Sequence, residues 1–360
     1  MYAAAPLGFA DVTTPEGVDL ERLLPFFAEH VAGASIGRPL SAELIAGGRS
    51  NLTYGITDGE HRWVLRRPPL GHVLPTAHDM GREYRVLAAL AETDVPVPRT
   101  LAFCNDESVT GASFYVMERV DGQILRIAED VARLTPAQAA DCSRELVDVL
   151  AAIHAVDYDT VGLSDFGHPE GYLERQVRRW GQQWERSKAA ELPALDELAR
   201  RLRAALPGSG PPTIVHGDYR LDNTMLALGD PSRIVAVLDW EMATLGDPLA
   251  DVGLFLLYWA QSEAQIIATG EGISTDAGFL SRDDVVELYA ERSGRRIDEL
   301  DWYVVFAGYK LAIIVEGIAA RYRMGKTLGE GFEAMGDMVA GLIDNALDTA
   351  SRSSIPALRG

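Results

Sequence analysis

The strongest constraint on the fold of this 360-residue chain is a change of sequence pattern near residues 118–122. Before this point strand-like runs predominate, and after it apolar residues recur mainly at helical spacing. We predict strands over residues 41–46, 52–57, 61–67, 100–104 and 113–120, and helices over 18–31 and 77–91. Asp58-Gly59 indicates a hairpin between the second and third strands, because both residues tolerate positive φ.

The second part of the chain is predicted to be a helical lobe. Thr135 followed by Pro136 is typical of an N-cap and a first helical position, in a helix that runs to about Val156. Further helices are predicted over residues 171–190, 192–205, 249–260, 282–293, 298–323 and 329–349, and short strands over 213–215 and 234–238. The predicted fold class is therefore α+β, with a small antiparallel-sheet lobe over 1–119 and a large, mainly helical lobe over 120–360.

Composition excludes several classes of function. The net charge of −20 argues against a nucleic-acid partner, which needs a basic footprint, and against electrostatic attachment to a membrane surface. The only two cysteines, Cys104 and Cys142, have no metal-site spacing and fit a reducing compartment. No signal-peptide pattern is present, and no apolar run is long and uncharged enough to cross a bilayer. We therefore expect a cytoplasmic protein, and the sequence leaves its oligomeric state open.

The chemistry is concentrated in residues 216–223, His-Gly-Asp-Tyr-Arg-Leu-Asp-Asn. Asp218 and Asn223 follow a short strand and could face one site, where Asp218 would accept a hydroxyl proton and Asn223 would bind Mg²⁺. Asp239 ends the next apolar strand and could supply a second metal ligand. Taken singly, each element is equally consistent with a plain loop or a helix cap. Together, and in this order, they favour a catalytic site.

Residues 216–223, followed by the sequence LDWEMATLGDPLADVG over 238–253, resemble the catalytic loop and metal-binding segment of the aminoglycoside phosphotransferases and their relatives, including choline and fructosamine kinases. The resemblance covers residues 44–251 by motif and is closest to the subgroup fused to acyl-CoA dehydrogenases in animals. It implies a bilobal protein-kinase-like fold and transfer of the γ-phosphoryl group of ATP to a small-molecule hydroxyl, with Mg²⁺ and with GTP left open as the nucleotide. It also implies that Asp218 is the catalytic base and that Asn223 and Asp239 bind magnesium.

The same resemblance implies nucleotide contacts in the first lobe. A turn between the first two strands would let backbone N–H groups approach the phosphates, although it is not G-x-G-x-x-G and a plain hairpin is the alternative. The fifth strand resembles the hinge that bonds adenine, although its side chains are equally consistent with core packing. The predicted contacts are Gly47, Gly48, Ser50 and Asn51 in the turn, and Met117, Glu118 and Val120 in the hinge.

Arg66 stands where the family usually has lysine, and strand alternation places Arg67 on the opposite face. Arginine can bind phosphate in bidentate fashion, but it is longer and planar, so the geometry need not match. Glu83, on the following helix, is expected to orient Arg66. The alternatives are solvated edge arginines and a surface glutamate. The missing lysine also motivates a rival function, a catalytically silent nucleotide-binding regulatory protein.

Two residues near the catalytic loop are interpreted as structural. Asp251 is expected to brace the loop, and His216 to steady it as a neutral hydrogen-bonding residue. A metal-dependent hydrolase built on His216, Asp218 and Asp239 is a weaker reading, because further histidine ligands are missing at suitable spacing.

Residues 172–188 combine a stripe of Val177, Trp180 and Trp184 with arginines on another face. An amphipathic helix with a solvated basic face is the favoured interpretation. The alternative is a patch that recruits an anionic substrate, such as a phosphate- or CoA-bearing molecule. The predicted partners are thus a nucleotide and a small-molecule hydroxyl substrate, with an anionic substrate as one option.

Overall fold

The computed structural model describes residues 15–45, 51–70, 79–126, 128–188, 191–259, 277–323 and 335–360. The chain divides into two units, one of Met1–Glu92 with Val97–Val120 and one of Thr93–Pro96 with Asp121–Gly360. The first unit is built around a β-sheet, and the second is mainly helical.

The first unit contains a five-stranded antiparallel sheet in the order β1-β2-β3-β5-β4. Its strands are β1 (Ser41–Leu44), β2 (Leu52–Thr57), β3 (Arg62–Arg67), β4 (Thr100–Cys104) and β5 (Phe114–Glu118). The predicted strands and the hairpin between the second and third are confirmed; residue 46, the last of the first predicted strand, lies outside the described residues. The hairpin turn is held by Asp58, whose carboxylate accepts the backbone N–H groups of Glu60 at 3.0 Å and His61 at 2.6 Å.

In the described part of the first unit, three helices accompany this sheet: α1 (Leu20–His30), α2 (Met80–Leu90) and α3 (Glu107–Thr110). The first two confirm the helices predicted from periodicity, although residues 77 and 78 lie outside the described residues. Asp19 caps α1 by accepting the N–H of Arg22. Leu23 and Phe27 on α1 are fully buried in a core that includes Leu65 of β3. The helix therefore covers the sheet through its apolar stripe.

The second unit is dominated by helices. Those within the described residues are α4 (Ala128–Val131), α5 (Pro136–Ala155), α6 (Tyr172–Ser187), α7 (Pro193–Ala204), α8 (Leu249–Tyr258), α9 (Arg282–Ser293), α10 (Leu300–Arg323), α11 (Met335–Arg352) and α12 (Pro356–Arg359). The predicted cap of α5 is confirmed, since Thr135 and Gln138 form a capping box ahead of Pro136. In α6 the predicted stripe of Val177, Trp180 and Trp184 is buried. The predicted helix over 329–349 falls partly outside the described residues.

Two antiparallel strand pairs lie in the second unit: β6 (Thr213–Val215) with β9 (Thr244–Gly246), and β7 (Thr224–Ala227) with β8 (Asp230–Val237). The strand predicted over 234–238 is correct in type, but β8 begins four residues earlier. Sequence patterning missed β7 and β9, because runs of three or four residues do not establish an alternation. These pairs position the two chemically important segments, which follow β6 and β8.

Helix α10 is unusually apolar. Its segment Leu300–Ala320 has the length and hydropathy of a membrane span, but 83% of its most apolar window is buried inside the protein. That burial is the pattern of a core helix. Close packing against α8 contributes to it, because a Cβ built on Gly253 would lie 2.6 Å from the backbone carbonyl of Tyr303.

Replacing Gly253 with alanine should destabilise the protein by about 1–3 kcal/mol, because the added methyl group meets backbone atoms that cannot rotate away. Alanine is otherwise the better helix former by about 1 kcal/mol, so the loss would be steric in origin. Denaturant unfolding measures the change. Gly208→Ala is the control, since nothing lies within 4 Å of a Cβ built there. Equal stability of the two variants would contradict this packing.

Candidate active site

The site begins where the buried strand β6 ends and the chain turns sharply into residues 216–223. Gly217 has φ of +83°, and a Cβ there would lie 2.8 Å from the carbonyl oxygen of Met242. Both the left-handed backbone and the close approach therefore require glycine at this position. The turn directs the following residue, Asp218, away from the strand.

Asp251, in the first turn of α8, holds this loop by its backbone. Its fully buried carboxylate accepts the backbone N–H of His216 at 2.6 Å and that of Gly217 at 2.7 Å. The ring of His154 lies 3.3 Å from the same carboxylate and 2.6 Å from the hydroxyl of Tyr289. Burial alone would raise the pKa of Asp251, but the hydrogen bond and charge of His154, together with the backbone N–H of Gly217, lower it below its usual value. The predicted brace is confirmed.

His216 also steadies the loop, as predicted. The N–H of Asp218 lies 3.2 Å from Nδ1 of His216, and Nε2 lies 3.0 Å from the carbonyl oxygen of Leu238. These contacts assign a neutral tautomer, because Nδ1 must accept while Nε2 donates. The histidine thus links the loop after β6 to the end of β8.

The structure brings together Asp218, Asn223 and the segment that carries Asp239. Nδ2 of Asn223 donates to the backbone oxygen of Asp218 at 2.8 Å and to its carboxylate at 2.9 Å. The N–H of Leu238, next to Asp239, donates to the carbonyl of Asn223 at 2.8 Å. Asp239 itself has φ of +65°, an uncommon backbone conformation for a residue other than glycine that is frequently found at functional sites.

The electrostatics of Asp218 combine burial with opposing charges. Burial raises the pKa of its carboxyl group, and the negative charge of Asp239 raises it further, whereas the positive charges of Arg220 and Lys310 act in the opposite direction. The side chain still has 29% of its surface exposed. Asp218 is therefore accessible to a small molecule and is more basic than an ordinary aspartate.

The oxygen atoms of this cluster fit a magnesium ion. Because Nδ2 of Asn223 points at Asp218, its Oδ1 is left to face another group. One amide oxygen and one or two carboxylates are the protein ligands that Mg²⁺ usually takes, with water and substrate phosphates completing six oxygens. Within the described ranges, no group of three or more His, Cys, Asp or Glu side chains is placed to hold a metal ion. Such a site would thus depend on Asn223 and on substrate oxygens.

Sequence reasoning missed Lys310, which α10 places beside the loop. Its Nζ donates to the carbonyl of Gly217 at 2.6 Å and lies 5.7 Å from the ring centre of Trp180. Burial lowers the pKa of Lys310, while the charges of Asp218 and Asp251 raise it. A signal was available, because a lysine in the middle of an apolar helix is rarely without a partner.

In the first unit, the predicted pair of Arg66 and Glu83 is present. The guanidinium Nε lies 3.0 and 3.1 Å from the two carboxylate oxygens, and the side chains are 12% and 2% exposed. Arg67 points elsewhere and donates to the carbonyl oxygens of Gly17 and Thr110. Neither arginine is a solvated edge charge and Glu83 is not a surface residue, so those alternatives are wrong.

The structure describes only some of the remaining predicted nucleotide contacts. Asn51 is buried just before β2, and Gly47, Gly48 and Ser50 lie outside the described residues. In β5, the N–H of Glu118 is already bonded to the carbonyl of Arg99 at 2.9 Å, and Met117 is 8% exposed. Val120, which follows the strand, is half-buried. The backbone N–H of Glu118 is therefore already engaged within the first unit, and the nucleotide contacts of Met117, Glu118 and Val120 stay predictions.

Known proteins that resemble this chain in sequence and structure carry the same phosphotransferase-type domain. The model of the phosphotransferase enzyme family matches residues 41–282. Acyl-CoA dehydrogenase family member 11 of Rattus norvegicus is 33% identical over 346 residues, which cover 94% of this chain and 44% of that protein. The chain thus spans less than half the length of this curated relative.

Solved structures show the same fold. A proposed aminoglycoside phosphotransferase of Ralstonia eutropha JMP134 is 34% identical with a TM-score of 0.77, covering 92% of this chain and 98% of that one. Choline kinase of Cryptosporidium parvum has a TM-score of 0.63 at 13% identity, covering 95% and 99%. The α+β protein-kinase-like fold predicted from the sequence is confirmed.

Replacing Asp251 with asparagine should destabilise the protein by about 3 kcal/mol at neutral pH, because two buried N–H groups lose a charged acceptor. The folded-state pKa of Asp251 is lowered, so its contribution is present above the unfolded-state pKa and is lost as pH falls through the folded-state value. The difference from wild type should therefore shrink below about pH 4. Denaturant unfolding at several pH values measures it.

Asp141→Asn is the matched control, since Asp141 pairs with Arg144 on the exposed face of α5. A pH-independent loss of stability in the Asp251 variant, or an equal loss in the control, would contradict a role for the buried charge.

Proposed function

Because the chain belongs to the phosphotransferase enzyme family, we propose that it transfers the γ-phosphoryl group of ATP to a hydroxyl group of a small molecule. The family resemblance predicted from the sequence, including the subgroup related to acyl-CoA dehydrogenase family members, is confirmed. A small-molecule phosphotransferase is the function common to the matching family. The proposal goes further by naming ATP as the nucleotide, Mg²⁺ as the metal and Asp218 as the base.

The observation that carries the proposal is the convergence of Asp218, Asn223 and the Asp239 segment at one loop. In the proposed reaction the hydroxyl oxygen of the acceptor forms a bond to the γ-phosphorus of ATP, and the bond between that phosphorus and the leaving oxygen of ADP breaks. Asp218 accepts the proton that the hydroxyl loses. The raised pKa of Asp218 suits this role, because a more basic carboxylate takes up the proton more readily. Bound magnesium would neutralise phosphate charge, held by Asn223 and Asp239.

Lys310 is proposed as a positioning residue. It fixes the carbonyl of Gly217 through a 2.6 Å hydrogen bond and brings positive charge near Asp218. In an otherwise acidic chain, such a local cation supports the approach of anionic reactants.

On the nucleotide side, Arg66 is proposed to bind ATP phosphates in place of the usual lysine. Glu83 holds the guanidinium through both carboxylate oxygens, which is the arrangement that kinases use to orient their phosphate-binding cation. This buried pair supports a functional nucleotide site, and nothing in the comparisons favours the catalytically silent alternative. GTP stays open as the donor.

The acceptor is proposed to be a small molecule other than a polycationic antibiotic. Exposed arginines on α6, including Arg178 and Arg186, would repel a polycation. Dehydrogenation, named in the relatives, belongs to proteins of which this chain covers less than half. We also propose a cytoplasmic location, which the two buried, unpaired cysteines support.

Asp218→Asn should lower kcat about 100- to 10,000-fold while leaving nucleotide affinity nearly unchanged, because it removes proton acceptance without changing side-chain shape. The assay is ADP release over a panel of amino alcohols, sugars, aminoglycosides and phosphate-bearing alcohols, with binding followed separately. Asp230→Asn, at the exposed first position of β8, is the control. Turnover at the wild-type rate in the Asp218 variant would remove Asp218 from the mechanism.

Glu83→Gln should lower kcat/KM for ATP about 100-fold, because a guanidinium that is no longer held by charge is displaced from the phosphates. Steady-state kinetics at saturating acceptor measure the effect. Glu92→Gln, an exposed residue just beyond α2, makes the same charge change and should behave as wild type. Unchanged ATP kinetics in the Glu83 variant would show that Arg66 does not bind the nucleotide.

A further inference from the structure

A surface cavity of about 480 Å³ lies between α6, α7 and α10, all within the second unit. Its walls carry Arg178 and Arg186 from α6 and Arg203 from α7. Gly181 forms part of its floor, and Tyr309 of α10 lies beneath it. In the proposed phosphotransferase function Arg178 and Arg186 act only as charges that would repel a polycationic acceptor, and Arg203, Gly181 and Tyr309 have no role in it.

The three arginines are not neutralised by neighbours. Arg178, Arg186 and Arg203 form no hydrogen bond or ion pair with any described residue. Other basic residues on these helices behave differently, since Arg200 and Arg201 both pair with Glu197 at 2.7 Å. Three unpaired guanidinium groups around one cavity are unusual in a chain of net charge −20.

Two carboxylates also line the cavity, and both have other contacts. Glu185 lies 3.0 Å from the ammonium group of Lys188. Asp196 accepts a hydrogen bond from the indole N–H of Trp184 at 3.3 Å. With three arginines against two carboxylates, one of which is paired outside the cavity, the lining is positive.

The floor provides a second, independent observation. The hydroxyl of Tyr309 is buried and has no hydrogen-bond partner among the described residues. A Cβ built on Gly181 would lie 3.4 Å from this hydroxyl and 3.1 Å from Nη2 of Arg203. The absence of a side chain at Gly181 therefore leaves a space where the hydroxyl and the guanidinium converge. Burial raises the pKa of Tyr309 to about 12, so the hydroxyl remains a donor at neutral pH.

We infer that this cavity is a binding site for the phosphate monoester group of a small molecule. A phosphate dianion presents three acceptor oxygens, and arginine meets such groups with two parallel N–H donors. A buried tyrosine hydroxyl without a partner is costly unless a ligand or water accepts from it, and a phosphate oxygen would satisfy it. A carboxylate has fewer oxygens and a single charge, so it matches three guanidinium groups less well.

The cavity shares no lining residue with the proposed catalytic cluster of Asp218, Asn223 and Asp239. Tyr309 and the adjacent Lys310 lie on one helix, but Lys310 contacts Gly217 whereas Tyr309 lies at Gly181. The inference therefore stands whether or not the chain transfers phosphate, and its test uses neither nucleotide nor magnesium.

The test measures binding of inorganic phosphate to the full chain by its effect on thermal unfolding, at constant ionic strength with chloride as the reference anion. A ligand that binds the folded state raises the midpoint in a saturable way, from which an affinity follows. Wild type should show such saturation. Arg178→Gln and Arg203→Gln should each weaken binding about tenfold or more, because each removes a charge-assisted hydrogen bond.

Two further variants separate this pocket from diffuse surface charge. Gly181→Leu keeps all three arginines but fills the floor, and should also abolish phosphate binding. Arg200→Gln removes a charge from α7 outside the cavity and should bind phosphate as wild type does. The inference is overturned if phosphate has no more effect than chloride, if Gly181→Leu binds normally, or if Arg200→Gln weakens binding as much as Arg203→Gln.

Discussion

The carboxylate of Asp251 is the contact on which the geometry of the catalytic loop depends. It is fully buried, yet it stays charged because two backbone N–H groups and His154 surround it. Those N–H groups belong to a sharp turn, and neither has a backbone acceptor among the described residues. The Asp251 side chain on α8 therefore accepts the backbone hydrogen bonds that a neighbouring strand would accept in a sheet. These bonds fix the backbone of the turn and thereby the position of Asp218, the next residue.

A chain of hydrogen bonds extends this order from one segment to the next. His216 joins the loop to the carbonyl of Leu238, and Asn223 joins its backbone to the same residue and its side chain to Asp218. The left-handed backbone of Asp239 follows directly. The two segments at the ends of the β7–β8 hairpin are thus held in a fixed relative position by hydrogen bonds as well as by strand pairing. Fixed positions of this kind are the preorganisation that phosphoryl transfer requires.

The charge of the protein is also arranged locally. A chain of net charge −20 repels nucleotides as a whole, so any anion site must gather cations against that background. Three such groups lie among the described residues: Arg66 held by Glu83, Lys310 beside the loop, and the three unpaired arginines of the cavity above Tyr309. The first is buried against its counter-charge, whereas the last is open to solvent. Arg66 is thus held in one position by its ion pair, whereas the guanidinium groups of the cavity are accessible from solvent.

Local pattern was sufficient to predict the five strands of the sheet and the capped helix α5, because each depends on neighbours within a few positions. The resemblance to a known family indicated that Asp218 and Asn223 face one site and that Arg66 pairs with Glu83, and the structure places both pairs in contact. The sequence could not reveal Lys310 beside Gly217, His154 on Asp251 or Tyr309 below Gly181, since each contact joins residues about 100 or more positions apart. Those contacts follow from how α5, α6, α8 and α10 pack. Packing is decided by the whole buried surface at once, which no local run of residues contains.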